Sequence, residues 1–358
     1  MLINIIGPIN KLSYGVVTTN LCIALEKEGA NVSLFPIGPN MEFNKQSDRN
    51  HIMRMVDRGR NSYWNLAPCV RIWHQFDLAQ YVGKGDHYAF PIFELDNFGD
   101  NELHQLNSAQ NIIVCSEWAK RVIENRTNKS AHVVPLGVDR SVFMPTVENR
   151  SPNTVKYMCG GKLEKRKMHK EIAECFSAAF TPFDDVELHF YTHNPFLKME
   201  EMTDWVGFVK SLKLGHKMFV HPLVNTQEDL CYIYNCNDIY IGVSRAEGFN
   251  LCLLEAMSCG LQCISSYNTA HTEFCSNANS HLIYPIGKEV AEDGRWFFPE
   301  RTNSGQWSEF EKKDIIGALK KTYKEIKEKA RLNEYGIETA KKFSWEASAQ
   351  KLINILGE

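Results

Sequence analysis

The sequence predicts an α/β protein made of two doubly wound domains. Three observations carry this. The chain has 358 residues, and at roughly 100–200 residues per domain that is room for two. Its opening runs apolar strand, glycine-containing loop, helix and second strand, the βαβ start of a parallel sheet. A second series of the same kind begins near Thr154. Loops at the carboxyl ends of two such sheets are expected to face one another across a cleft.

Taken in order, Leu2 to Ile6 reads as a strand and Gly7 to Gly15 as a loop. Val16 to Glu28 has helical spacing, with Leu21 and Leu25 on one face; Gly29 ends it and Val32 to Phe35 resumes a strand. Strands are expected at Val70 to Trp73, Tyr88 to Phe93, Asn111 to Cys115 and His132 to Val134, with a helix over Glu117 to Glu124 behind Ser116. Pro145 to Pro152 reads as a linker. Beyond it, VKYMCGG, VELHFYTH, Lys217 to Pro222, Asp238 to Val243 and Gln262 to Ser265 read as strands. His169 to Phe180, Asp229 to Cys236, Asn250 to Ser258 and most of Lys312 to Lys342 read as helices.

Composition removes several function classes. Hydrophobic residues are 44% and charged residues 23%, an ordinary globular balance that excludes intrinsic disorder. Lys plus Arg is 40 against 43 Asp plus Glu, a net charge of -3, so the chain is not a strongly basic nucleic-acid binder. No apolar run approaches the roughly 18 residues of a membrane span. The start MLINIIGPIN lacks signal-peptide features, and a cytoplasmic protein is expected. Eleven cysteines, most in apolar runs and none in a C-x-x-C pair, read as reduced core thiols rather than a metal site.

The most informative stretch is SRAEGFNLCLLEAMSCG, Ser244 to Gly260. A strand ends at Val243, Glu247-Gly248-Phe249 form a loop, and a helix begins near Asn250. Backbone N–H groups at a helix start favour anions. Glu247 stands before that helix and Glu255 just over one turn inside it. Carboxylates suit sugar and ribose hydroxyls, because each oxygen accepts strong hydrogen bonds. The plainer alternative is that Glu247 caps the helix and Glu255 is solvated.

The motif E-G-F-x-L-x-x-L-E-A-M-x-x-G after a strand resembles the E-x7-E motif of retaining GT-B glycosyltransferases, the glycosyl transferases group 1 superfamily. The resemblance implies that Glu255 binds the ribose and Glu247 the transferred sugar, with the backbone of Gly248, Phe249, Asn250 and Leu251 against sugar or diphosphate. Asn250 stands where Gly is common, and its side chain would narrow the sugar pocket. HVVPLGVDRSVFMP resembles the segment closing the family's first domain, GGKLEKRKMHKEIAECF its phosphate loop and following helix, and Phe343 to Glu346 the start of its last helix. The implied domains are therefore 1–150, with a last helix 344–358 packing back on it, and 151–343.

Gly161 to Lys170 holds Lys162, Lys165, Arg166, Lys167, His169 and Lys170 against Glu164. Read alone it is a solvated loop or a nucleic-acid patch. The resemblance implies that Lys162 and Lys167 neutralise the leaving diphosphate; Lys162 replaces a frequent Arg and loses its bidentate geometry. By the same resemblance His74, at the end of a strand, contacts the donor sugar. Tyr14 and Gly15 lie in the first loop, where backbone approaches donor and acceptor. Glu94 and Asp96 orient an acceptor hydroxyl or cap a turn. His221 lies where the family binds the base. Glu273, near His271, matches a family Glu whose preceding Gly-Gly is absent here.

The implied activity is retaining transfer from a nucleoside-diphosphate sugar, UDP-sugar ahead of GDP-sugar, with Lys167, Glu247 and His74 at the chemistry and no cofactor or catalytic metal. GPINKLSYG, IWHQFDLAQYVGKGDHYAFPIFELDNF and SEWAKRVI resemble glycosyltransferases of tailed bacteriophages. That implies host cytoplasm and a hydroxymethylated pyrimidine in DNA as acceptor. Arg54, Arg58 and Arg60, near Tyr63 and Trp64, are either its contacts or a solvated helix face. The alternatives are a carbohydrate, lipid-linked sugar or small-molecule acceptor, an epimerase of the same fold, and a nucleotide-sugar-binding protein without activity.

Overall fold

The computed structural model describes residues 1–43, 45–146, 150–151, 153–298, 305–328 and 332–357. Two compact units divide the chain. One holds Met1–Asp139, Gly294–Gly305 and Lys342–Glu358; the other holds Arg140–Asp293 and Gln306–Lys341. The first passage between them falls at Asp139–Arg140, against the 150 of the sequence reading. The linker expected over Pro145 to Pro152 lies partly outside the described residues.

The first unit contains β1 (Leu2–Pro8), α1 (Ser13–Lys27), β2 (Asn31–Ile37), α2 (Arg49–Ser62), β3 (Cys69–Arg71), β4 (His87–Ala89), α3 (Asp100–Ser108), β5 (Asn111–Val114), α4 (Glu117–Arg126) and β6 (His132–Val133). The strands lie in the order β2-β1-β3-β4-β5-β6, all parallel. Ile3, Ile5, Val32, Leu34 and Val70 are buried to within 1%, as strands covered on both faces require. The chain's last helix, Trp345–Gly357, returns to this unit and packs on α1. Val138 N–H donates to the Phe343 carbonyl at 2.9 Å, and Ser348 Oγ to that of Pro135 at 2.6 Å.

Two expectations here need correcting. The strand expected over Tyr88 to Phe93 ends at Ala89. Phe90 still donates to the Arg71 carbonyl, but Pro91 has no N–H to continue the ladder. Helix α1 begins at Ser13 rather than Val16, because the Asn10 side chain accepts from Leu12 N and closes the loop early.

The second unit contains β7 (Val155–Gly160), α5 (His169–Ala179), β8 (Val186–Tyr191), α6 (Met199–Ser211), β9 (Met218–Val220), α7 (Gln227–Asn235), β10 (Ile239–Gly242), α8 (Leu251–Ser258), β11 (Gln262–Ser266) and β12 (His281–Ile283). Its parallel order is β12-β11-β10-β7-β8-β9. A hairpin of Gly287–Val290 with Gln306–Glu309 follows, then helices Lys312–Glu328 and Glu334–Lys342. Tyr157, Cys159, Phe176, Leu188, Phe190 and Ile239 form its core. Among the described residues no helix is long and apolar enough to cross a membrane.

Each order runs outward in both directions from its first strand. In the first unit the direction reverses between β1 and β3, in the second between β7 and β10. Ligands of open parallel sheets bind beyond the carboxyl ends of the strands at such reversals. In the second unit the loops concerned are those that start at Gly161 and at Val243.

Candidate functional site

The loop after β7 turns at Gly161, whose φ of +101° strains any residue with a side chain. A Cβ there would lie 3.4 Å from Lys167 Nζ, so the glycine also leaves room for that ammonium. Lys165–Lys167 then make a single 3-10 turn. The loop after β10 is tied to it through the backbone. Arg245 N–H and Ser244 Oγ donate to the Arg166 carbonyl at 2.9 and 3.1 Å.

These two loops bring five charges together. Glu247 is 4% exposed. Lys167 Nζ stands 2.6 Å from its Oε1 and Arg166 Nη1 3.0 Å from its Oε2. Arg166 Nη2 also pairs with Glu164 Oε2 at 2.9 Å, and Nη1 donates to the Ala246 carbonyl. Lys162 reaches Glu164 Oε1 at 3.1 Å. Burial pushes the Glu247 carboxyl up, but the charges of Lys167 and Arg166 outweigh it and hold it well below its ordinary value. Glu164 is lowered in the same way, burial opposing and Arg166 and Lys162 prevailing.

Asn250 caps α8, in place of the Glu247 cap considered from the sequence; its Oδ1 accepts from Leu253 N at 3.3 Å. Its φ of 76° is left-handed, the conformation for which Gly is cheapest. Its Nδ2 lies 2.9 Å from His271 Nε2. His271 is fully buried between the Ser266 carbonyl, 2.9 Å from Nδ1, and Asn250. Burial pushes its pKa down to about 4.

Glu255 lies inside α8 and is 8% exposed, not solvated. The Tyr234 hydroxyl of α7 donates to its Oε2 at 3.0 Å. Burial raises the Glu255 pKa to about 7, against that hydrogen bond. The site thus holds one carboxylate fixed in its charged form and one poised near neutrality, flanking the positive end of α8.

The structure brings Lys162, Lys167, Glu247, Asn250 and the start of α8 into one cluster, with Glu255 one turn further along α8. Phe249 turns inward onto Phe274, ring centroids 5.2 Å apart, so its side chain belongs to the core. His169, counted among the loop's basic residues, is buried with its pKa pushed down to about 4, and adds no positive charge at neutral pH. His221 pairs with His189, Nε2 to Nδ1 at 2.9 Å, and stacks on Tyr191 at 4.4 Å. Glu273 ends the short Thr269–Glu273 turn, half-buried. Arg166, Glu164, Tyr234 and His271 were not assigned to the site from the sequence. The signal for Arg166 was its place between Lys165 and Lys167; nothing local pointed to Tyr234.

In the first unit, His74 stacks on Phe76 at 5.0 Å and leans on Tyr14 at 4.5 Å and Trp73 at 5.0 Å. The Tyr14 hydroxyl donates to the Ile92 carbonyl at 2.7 Å. At Gly15 a Cβ would overlap the backbone of Asn10, so the chain's own packing already demands glycine. Glu94 and Asp96 are half-buried after β4, and the Asp96 carbonyl accepts from Arg126 Nε at 3.0 Å. Arg54 and Arg60 are exposed on α2. Arg58 is not a free surface cation: it pairs with Glu26 at 2.6 Å, donates to the Val32 carbonyl, and lies 5.9 Å over Trp64. All eleven cysteines are free thiols, eight of them buried.

Residues 154–293 match the family Glycosyl transferases group 1. No curated protein matches the sequence. Among solved structures the chain is similar to sucrose-phosphate synthase from Thermosynechococcus elongatus, with 14% identity, TM-score 0.73, and 99% of this chain and 98% of that chain covered. It is similar to HepE from Anabaena in complex with UDP-glucose, with 13% identity, TM-score 0.72 and coverage of 100% and 99%. It is also similar to the lipopolysaccharide outer core galactosyltransferase WaaB, with 15% identity, TM-score 0.65 and coverage of 100% and 99%. The chain has the GT-B fold of two Rossmann-like parallel α/β domains.

Proposed function

We propose that this protein is a retaining glycosyltransferase that moves a sugar from a nucleoside-diphosphate sugar, in the first instance a UDP-sugar, to a hydroxyl acceptor. The observation that carries the reading is the cluster of Lys167, Arg166 and Glu247 at the start of α8, with buried Glu255 one turn on. The family match over 154–293 and the likeness to a structure holding UDP-glucose support it.

In this reading Glu255 accepts from the ribose hydroxyls and Glu247 from a sugar hydroxyl. Lys162, Lys167 and the positive end of α8 take up the charge that gathers on the departing diphosphate, an electrostatic role. The contact of His74 is with the transferred sugar. Glu247 is committed to two cations and is a poor nucleophile. With retention and no enzymic nucleophile, the acceptor oxygen attacks the anomeric carbon on the face from which the phosphate leaves. The C–O bond to phosphate breaks, and a phosphate oxygen takes the acceptor's proton. The cations supply the neutralisation, so we propose that no metal is required.

Replacing Lys167 by Ala is expected to lower turnover about ten- to a hundredfold, the worth of a hydrogen bond to a charged group, with a smaller change in donor affinity. Steady-state kinetics beside calorimetric UDP binding measure the split. Wild-type activity should survive EDTA. Loss on chelation with recovery on adding manganese or magnesium would sink the metal-free account. UDP-sugar binding without any transfer or hydrolysis would favour the non-catalytic alternative.

We propose a hydroxymethylated pyrimidine in DNA as the acceptor. Arg54 and Arg60 are its phosphate contacts; Arg58, bound to Glu26, drops out of that set. Transfer is expected on hydroxymethylated and not on unmodified duplex DNA, and should weaken as salt rises. Changing Arg54 and Arg60 to Ala should flatten that dependence. Transfer only to glucosides in the same mass-spectrometric screen would hand the acceptor to the carbohydrate class.

A further inference from the structure

Asn250 is an unexpected residue for its backbone. Its left-handed φ of 76° suits Gly, yet a side chain is kept there and is 8% exposed. The hydrogen bonds around it fix its orientation. The Ser266 carbonyl can only accept, so His271 Nδ1, 2.9 Å away, carries the ring proton. His271 Nε2 is then an acceptor, and Asn250 Nδ2 donates to it at 2.9 Å. That leaves Asn250 Oδ1 toward Leu253 N at 3.3 Å. The second hydrogen on Nδ2 faces Glu247 Oε1 at 3.5 Å. The same oxygen is held by Lys167 at 2.6 Å.

The chain of contacts therefore runs from the Ser266 backbone through His271 and Asn250 to Glu247. Ser266 itself is anchored, its Oγ donating to the Ser244 carbonyl at 2.9 Å. Glu247 is also steadied through its backbone, where its N–H donates to Thr269 Oγ1 at 2.9 Å. Side-chain and backbone supports thus reach Glu247 from the end of β11 and from the Thr269–Glu273 turn. A carboxylate oxygen gripped only by Lys167 could swing; one also bounded by a fixed amide cannot do so freely.

We propose that Asn250 and His271 are positioning residues that set the Glu247 carboxylate for the donor sugar, and so help decide which sugar is accepted. The inference rests on the donor reading of Glu247 given above.

The test compares wild type, Asn250→Gly, His271→Ala and the double variant, using UDP and UDP-glucose as probes. Glycine suits this backbone and costs little at an N-cap, so Asn250→Gly should still fold cooperatively, its loss confined to the hydrogen bond to His271. UDP affinity should stay within about twofold. The advantage of UDP-glucose over UDP should shrink at least about fivefold, and the donor KM should rise about tenfold with less change in kcat. The double variant should be no worse than the more affected single one, since both act through Glu247. An unchanged UDP-glucose advantage and KM in a folded Asn250→Gly protein would overturn the proposal while leaving the donor reading standing. Additive losses in the double variant would overturn the linkage between the two residues. A wild type that binds neither UDP nor UDP-glucose would overturn the donor reading, and this inference with it.

Discussion

Replacing Arg166 by Ala is expected to destabilise the protein by about 3–5 kcal/mol, the cost of removing one partner from a buried ion pair. Its guanidinium serves Glu247, Glu164 and the Ala246 carbonyl at once. After truncation Glu247 keeps Lys167 and Glu164 keeps Lys162, which places the loss toward the lower end of that range. Lysine would not rescue it, because a single point charge cannot repeat the fork. Urea unfolding measures the effect. A loss below about 1 kcal/mol would mean the guanidinium is not what holds the two loops.

The loss should also depend on pH. Glu247 and Glu164 are held below their unfolded values, so the folded state binds fewer protons than the unfolded chain as acid is added. Their contribution is present above the unfolded pKa of about 4.3 and disappears as pH falls through the folded values. The gap between wild type and variant should therefore be full at neutral pH and narrow below pH 4. A gap that stays constant into acid would place the Arg166 effect in packing rather than charge.

Much of the framework was legible because it rests on local signals. The strand Val155–Gly160 is a dense apolar run, Asn31–Ile37 follows a helix closed at Gly29, and the helix expected behind Ser116 is α4, which that serine caps. Helices α3 and α6 escaped because they bury so little. Leu106 is the one buried residue of α3, and Trp205 and Val209 those of α6, too few to print a 3.6-residue period.

The site divides along the same line. Glu247, Glu255 and Lys167 stand out through spacing and charge within one stretch. Arg166 looked like one more cation in a run, and only burial between two carboxylates distinguishes it from exposed Lys165. Tyr234 and His271 reach Glu255 and Asn250 from other elements, so no window of sequence contains the contact. Asn250 was visible as a departure, but its meaning depends on a φ value and a histidine 21 residues away.

Glu255→Gln is expected to stabilise the protein relative to wild type as pH rises, by about 2–3 kcal/mol between pH 5 and pH 8. Burial lifts the Glu255 pKa to about 7, above the roughly 4.3 of an unfolded chain. Tyr234 opposes the shift, and the nearby Cys231 thiol, itself drawn down to about 6 through Cys259 and other hydrogen bonds, adds a little to it. Between those two values the folded protein keeps a proton that the unfolded chain has lost. Raising pH through this window therefore favours unfolding, and the stability present in acid is gone above pH 7. Glutamine carries no charge and escapes the loss. A residue that weakens the fold at working pH is one whose charge is wanted for something else. Ribose hydroxyls donating to the carboxylate would stabilise the charged form, so nucleotide binding near pH 6.5 should expel a proton. Calorimetry of UDP in buffers of different ionisation enthalpy reads this directly. UDP affinity should also fall below pH 7 in wild type and lose that dependence in Glu255→Gln. Binding with no proton release at pH 6.5 would separate Glu255 from the nucleotide and leave its burial a matter of packing alone.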